Sequence, residues 1–425
     1  MKTRHMMLVS VLLVAAVLLT ACPAQTATPA PTQPPAPQPT QPPAPQATEP
    51  PAPTEEVVMG LKGEVTLWHS YHAGEAEEQT IAQVVEQLMK DNPELTVNML
   101  EVPFDQIFNK WETEVAAGGG PDMYTVPNDN LGNQARAGLI APLDDLLAGK
   151  MDVFPASSFD GATVDGQIYG VPGIIKAVGL FYNTSTVAEP PKTTDELLAL
   201  VEAGKKIAIM QYGYHNFGWL TGAFGGVLMD ADGACVADQG GFADALAYMQ
   251  ELKATGANFE TDESKANTLF MQGQVDMMIS GPWMLGTFGG ALGDKLGVAP
   301  MPAGPGGPAT PLAGVDYWHV NPNVSDEQKA LAVEVALYIF GPKGAQAYAD
   351  VALAPMVAKG VTAKDPLIGV FSEIGAAGFP RPQTVEFGNW WGPFGDAVTK
   401  VMEGVSEPAA AVAEACDAMN KASGK

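Results

Sequence analysis

Residues 63–102 decide the fold. The stretch opens with Gly63-Glu64-Val65-Thr66-Leu67-Trp68, continues through Gly74 to Asn92 and closes on Leu95 to Val102. Its first six residues read as a strand, because β-branched and aromatic side chains fit a pleated surface. Between Gly74 and Asn92, Ile81, Val84, Val85, Leu88 and Met89 recur at three- and four-residue steps on one face of an amphipathic helix. Asn92-Pro93 ends that helix, and Leu95 to Val102 reads as a second strand. Working outward, Phe104 to Ala117 is a helix broken by Gly118-Gly119-Gly120, Pro121 to Val126 a short strand, and Leu131 to Ala137 another helix. Such alternation predicts a mainly parallel α/β sheet with helices on its faces.

A second α/β set follows. Val178 to Tyr182 reads as a strand, Thr194 to Glu202 as a capped helix, and Phe242 to Lys253 and Asp262 to Met271 as helices. Val275 to Ile279 is a strand running into Gly281-Pro282-Trp283. Ser325 opens a helix through Phe340, and Gln328 three residues on fits a capping box. Two closing helices are expected around Asp396 to Glu403 and Pro408 to Ala422, and no short internal repeat is visible.

The N-terminal end carries different signals. Lys2 and Arg4 precede an apolar run from Met6 to Leu19, followed by Leu19-Thr20-Ala21-Cys22. The run falls short of the ~20 residues of a membrane span. Its order of charge, apolar core and small residues is that of an export signal. The cleavage residues resemble a bacterial lipobox, which implies that Cys22 becomes the lipidated first residue of the mature chain. Residues 23–54 consist almost entirely of Pro, Ala, Thr and Gln, a composition that buries no core and reads as an extended extracellular spacer.

The chain has 425 residues and a formal charge of −26, and loss of residues 1–21 removes two cations and no acid. Nucleic-acid binding requires a cationic footprint, which this composition lacks. With Cys22 lipidated, Cys235 and Cys416 remain as an even pair in an exported protein, either bridged or as two separate buried thiols.

The order of motifs resembles the carbohydrate-binding lipoproteins of bacterial ABC importers, the group that includes maltose- and maltodextrin-binding proteins. The resemblance is carried by Glu64 to His69, by Gly118 to Met123, and by Tyr169-Gly170-Val171-Pro172 with Leu180 to Asn183. Pro190 to Thr193, Met277 to Trp283 with Ser280 in place of an Asn, and Asn321-Pro322 complete it. It implies an α/β, two-lobed periplasmic-binding-protein fold, type II-like, with a hinge and an interlobe ligand cleft. The implied division is 1–21 signal peptide and 22–58 lipidated Cys with linker. Residues 59–175 plus about 312–360 then form lobe 1, and 176–311 plus about 361–425 form lobe 2.

The resemblance also implies ligand contacts. A sugar ring offers C–H faces to aromatic side chains and hydroxyls to carboxylates, amides and histidines. Trp283 and Trp391 fall where relatives place stacking tryptophans, with Trp390 as an alternative to Trp391. His69 and Tyr71 lie in the loop leaving the first strand. Asp129 either contacts ligand or caps the next helix, and Asn130 replaces a basic contact. Lys176 replaces a sugar-contacting glutamate, so it either engages an acidic sugar or points to solvent. Tyr214 and His215 lie in an aromatic loop, Asp316 and Tyr317 on the return crossing, and Trp318 beside them as a hinge packer.

Other motifs carry less. His69-x-x-His72 lacks a third ligand for a metal. Asp230-Ala231-Asp232-Gly233 lacks the distal Glu of a calcium loop and reads as a tight turn. Gly304 to Pro308 reads as a mobile loop, since no phosphate-binding Lys-Ser/Thr follows. No metal or cofactor is expected. The function implied is capture of a sugar or oligosaccharide for a membrane permease, by a monomer tethered through its lipid outside the cytoplasmic membrane. The alternatives are a secreted glycan-active enzyme, a binding protein for a non-sugar solute, and an adhesive surface protein.

Overall fold

The computed structural model describes residues 60–425; the expected signal segment, Cys22 and the linker lie outside the described residues. The opening strand, Lys62–His69, pairs in parallel with Glu94–Glu101 on one side and Met123–Pro127 on the other. Between the first two strands runs the helix Ala76–Asp91, and Phe104–Ala116 links the second to the third. Each is a helical crossover of the kind that parallel pairing needs.

The sheet is then completed from distant sequence. Leu312–Val320 pairs antiparallel with Met123–Pro127, and it carries Val171–Lys176 antiparallel and Phe379–Pro380 parallel. The expected mainly parallel sheet is therefore corrected to a mixed one. Val171–Lys176 leaves this sheet while Leu312–Val320 returns to it, so their opposed directions follow from the path of the chain between lobes. A second sheet has the order Leu296–Ala299, Gly179–Asn183, Met277–Ser280, Ile207–Met210, Asn258–Glu260. Its last three strands are parallel, and Gly179–Asn183 is antiparallel to both neighbours.

Alternation along the strands places a core on each face of each sheet. Val65 and Leu67 point to the side covered by Ile81, Val84 and Leu88, together with Trp318 and Phe340. Trp68 points to the other, against Trp111 and Tyr124. In the second sheet Ile207, Ile209, Met277 and Ile279 face one core, and Ala208, Met210 and Met278 the other. The late helices divide between them. Asp326–Phe340 covers the first sheet, whereas Pro366–Ala377, Trp391–Met402 and Pro408–Ala422 cover the second. The helix expected to begin near Asp396 starts five residues earlier, and Pro366–Ala377 is an addition.

Local signals were partly realised. Thr193 caps its helix by accepting from the Glu196 amide at 3.2 Å, and Ser325 accepts from Gln328 at 3.2 Å. The capping box is only half formed, because the Gln328 amide donates instead to the Glu64 carbonyl at 2.7 Å. Asp230 closes the expected tight turn, its carboxylate accepting from the Asp232 and Ala234 amides. Gly304 to Pro308 forms a mostly exposed loop tethered to Ala223: the Gly306 amide donates to the Ala223 carbonyl, and a Cβ on Gly304 would meet that oxygen at 2.4 Å. Cys235 and Cys416 are bridged, with Cα atoms 5.4 Å apart, which ties the last helix to the second lobe. No helix among the described residues is long and apolar enough to cross a membrane.

Candidate functional site

At the seam between the two sheets, strand ends and helix starts bring together side chains far apart in sequence. Lys176 ends the strand that leaves lobe 1, and Asp316 lies on the strand that returns. The Lys176 ammonium donates to Glu77 at 2.7 and 2.9 Å and lies 3.2 Å from Asp316. All three are buried. The Tyr71 hydroxyl reaches the same Asp316 oxygen at 3.5 Å, and His69 stacks on Tyr71 with ring centres 5.5 Å apart. Lys176 is thus corrected from a solvent-facing or acid-binding group to a neutralised one, its charge committed to two carboxylates.

Lobe 2 supplies an aromatic wall. Trp283, half-buried, lies 5.7 Å beneath the Lys176 ammonium, and its indole donates to Glu263 at 3.0 Å. Tyr214 and His215 pack against it at 6.2 and 6.0 Å between ring centres. Gly281 makes this possible: a Cβ there would stand 1.9 Å from the Trp283 ring. The lobes touch directly here, since the Ala76 amide donates to the Thr287 hydroxyl at 3.3 Å.

Asp129 pairs with Arg381, whose guanidinium lies 5.0 Å over the Tyr214 ring. The helix-cap reading of Asp129 is not realised, because Asn130 occupies the cap position without a side-chain cap. Asn130 turns away to Glu112 and Asn133. Tyr317 is corrected to a core residue: it is 1% exposed and donates to the Ser158 carbonyl at 2.8 Å. Trp318 is likewise core, packed on Phe340. Trp390 is fully buried among Phe217, Phe387 and Phe394, and backs Gly213 at the start of the short helix Gly213–Gly218, which corrects the expected aromatic loop of Tyr214 and His215 to a helix. Trp391, half-buried, packs at a tilt against Trp390, with ring centres 4.6 Å apart, rather than joining the seam cluster.

The electrostatics are unbalanced. Burial pushes the Asp316 carboxyl up to about 7 despite Lys176. Glu75, at the start of the same helix as Glu77, is pushed up to about 8 by burial and then by Glu263 and Glu77. Burial lowers His215, keeping it neutral, and raises Tyr214 to about 12. Asp316 Oδ1, Arg381 Nε, the Tyr214 hydroxyl and both His215 nitrogens are buried with no hydrogen-bond partner in the protein. Buried polar atoms are ordinarily satisfied, so these five are open to a partner from outside the protein, and others lie in the cores at Trp318, His319 and Trp390.

Glu75, Glu77, Glu263 and Arg381 escaped the sequence reading. Acids at a helix start are ordinary partners of the helix dipole, so nothing marked Glu77 as buried or Glu75 and Glu263 as half-buried at the seam. Arg381 had one signal: it is one of three arginines in the chain and sits between Pro380 and Pro382.

Comparison with known proteins matches residues 83–367 to the model of a family described as bacterial extracellular solute-binding protein. The chain is 28% identical over 269 residues to the maltotriose-binding protein of Pyrococcus abyssi, covering 59% of this chain and 55% of that one. It is 25% identical over 351 residues to the galactooligosaccharide-binding protein of Bacillus subtilis, covering 76% and 82%. Thus the match spans about half the length of the first of these relatives. Among solved structures, the maltose/maltodextrin-binding domain from Bdellovibrio bacteriovorus bound to maltotriose superposes with a TM-score of 0.79 at 22% identity, covering 85% of this chain and all of that one. The maltotriose-binding protein of Thermus thermophilus does so with a TM-score of 0.75 at 26% identity, covering 84% and 99%. The architecture is the two-lobed periplasmic-binding-protein fold.

Proposed function

The chain belongs to the bacterial extracellular solute-binding protein family, and from that premise we propose that it is the capturing component of an ABC importer for a sugar or oligosaccharide. The observation that carries this reading is the seam itself. Trp283, Tyr214 and Tyr71 offer aromatic faces, and Asp316, His215 and Arg381 offer buried polar atoms with no protein partner. Apolar walls with few placed polar groups suit a sugar's C–H faces and hydroxyls. Contributions from both lobes let ligand stabilise the closed form, because it touches both only there.

The family is one of binding proteins, which sets aside the secreted-enzyme alternative. We take the lobes as 59–175 plus about 312–360, and 176–311 plus about 361–425, each built on one sheet, with Phe379–Pro380 of the second reaching into the first. The contact set is Tyr71, Tyr214, His215, Trp283 and Asp316, with Lys176 neutralising Asp316 and Glu77, His69 behind Tyr71, and Arg381 joining Asp129 to the wall. Lipidation at Cys22, a monomeric state, delivery to a permease and a position outside the cytoplasmic membrane complete the proposal. One relative, from Streptococcus pneumoniae, is named a maltooligosaccharide ABC transporter solute-binding lipoprotein, in keeping with it.

The test is a thermal-shift screen of the purified protein against mono-, di- and oligosaccharides, with peptides, polyamines and glycerol phosphates alongside. A ligand that binds only the native state raises apparent stability by ~2.7 kcal/mol at a hundred times Kd. A saturable shift with a saccharide, lost in Trp283→Ala, is expected. A shift confined to non-sugars would reject the carbohydrate assignment.

A further inference from the structure

We propose that the ligand is an amine-bearing saccharide, its ammonium held among Glu75, Glu263 and Asp316 against the faces of Trp283 and Tyr71. The inference rests on the sugar-binding reading and names the chemistry of its ligand.

Carboxylates outnumber cations at the seam. Lobe 1 contributes Glu75, Glu77 and Asp316, and lobe 2 contributes Glu263. The one cation among them, Lys176, is consumed by Glu77 and Asp316. The nearest others are committed as well, Arg381 to Asp129 and Lys265 to Glu260. Glu75 has no salt-bridge partner among the described residues, and Glu263 has only the neutral Trp283 indole at 3.0 Å. A second observation is independent of that count. Asp316 is 2% exposed, and while its Oδ2 faces Lys176 and Tyr71, its Oδ1 has no partner.

The aromatic faces agree. Lys176 already lies 5.6 Å from the Tyr71 ring and 5.7 Å from Trp283, so both rings stand where a cation is stabilised by their π-faces. A hydroxyl donates a hydrogen bond to a carboxylate but leaves its charge buried, whereas an ammonium offsets that charge as it donates. Burial, and after it the neighbouring acids, raise the Glu75 and Asp316 carboxyls, so their charged forms are costly unless a cation offsets them.

The test is calorimetric titration of the purified protein at pH 7.5 with matched pairs. These are α-1,4 and β-1,4 glucose trimers, their amino-deoxy counterparts at positions 2 and 6, and N-acetylated forms as neutral controls. In the best-binding series, the amine-bearing member is expected to bind at least about tenfold tighter than its hydroxyl twin, as charge-assisted hydrogen bonds are roughly twice as strong as neutral ones. That advantage should shrink in Glu263→Gln and shrink further in the Glu75→Gln/Glu263→Gln double variant, which leaves only Asp316 to hold the ammonium. If the neutral twin or the N-acetyl form binds as tightly, the proposal is overturned while the sugar-binding reading stands. If the preference survives the double variant undiminished, the assigned carboxylates are wrong. If folded protein binds no saccharide in any series, both readings fail together.

Discussion

Replacing Lys176 with methionine probes the buried triad at the point where the chain crosses between lobes. Its ammonium stands 2.7 Å from Glu77 and 3.2 Å from Asp316, which at an effective dielectric of ~20 is about 6 and 5 kcal/mol of gross attraction. Most of that only offsets the several kcal/mol per ion of removing charges from water. Truncating one partner of such a group costs ~3–5 kcal/mol, because the others remain buried and unpaired. Asp316 has an escape, which is to take up a proton, and this gives the cost a pH dependence. Asp316 already titrates at about 7, above its unfolded range. The native state therefore holds a proton that the unfolded chain releases, and this group's contribution to stability falls as pH rises from about 4 through about 7. Without Lys176 the carboxyl titrates higher still. The cost of Lys176→Met should then be ~3–5 kcal/mol at pH 8 and clearly smaller near pH 5, where Asp316 holds a proton and is no longer left as an unpaired anion. Urea unfolding followed by tryptophan fluorescence at pH 5, 6.5 and 8 measures this, and Lys176→Met/Asp316→Asn should recover part of the loss at pH 8. A cost that is flat across this range, or below about 1 kcal/mol at pH 8, would refute the reasoning.

Three further outcomes are expected. Gly281→Ala should leave the fold intact but weaken sugar binding at least tenfold by titration (about 1.4 kcal/mol), because the added methyl would stand 1.9 Å from the Trp283 ring and must displace it. Replacing Cys235 and Cys416 with serine opens a loop closed across 181 residues; the chain-entropy model gives a loss of up to ~5 kcal/mol, and calorimetry should show lobe 2 melting about 10 °C lower, with the same shift on reduction of the wild type. Tyr317→Phe should cost about 1 kcal/mol by removing the hydrogen bond to Ser158, with ligand affinity unchanged in calorimetry; a large affinity loss would return Tyr317 to the binding surface.

The sequence by itself determined the first βαβ unit, the two α/β sets and most helix limits. These depend on the periodicity of neighbouring residues, as with Ile81, Val84 and Leu88 or the cap at Thr193. It also supplied Trp283, Tyr214, His215 and Asp316 as candidates, through motifs and a family resemblance. What only the tertiary structure decided depends on which distant segments meet. Leu312–Val320 turns the first sheet mixed because the chain returns from the other lobe, and no local pattern encodes that path. Tyr317 and Trp390 look the same in sequence whether they stack on a ligand or pack a core, since both settings favour large flat side chains. Glu77 reads as a solvated first-turn acid until Lys176, 99 residues away, is brought to it. The seam's charge balance is a sum over both lobes, and it exists only once they face each other.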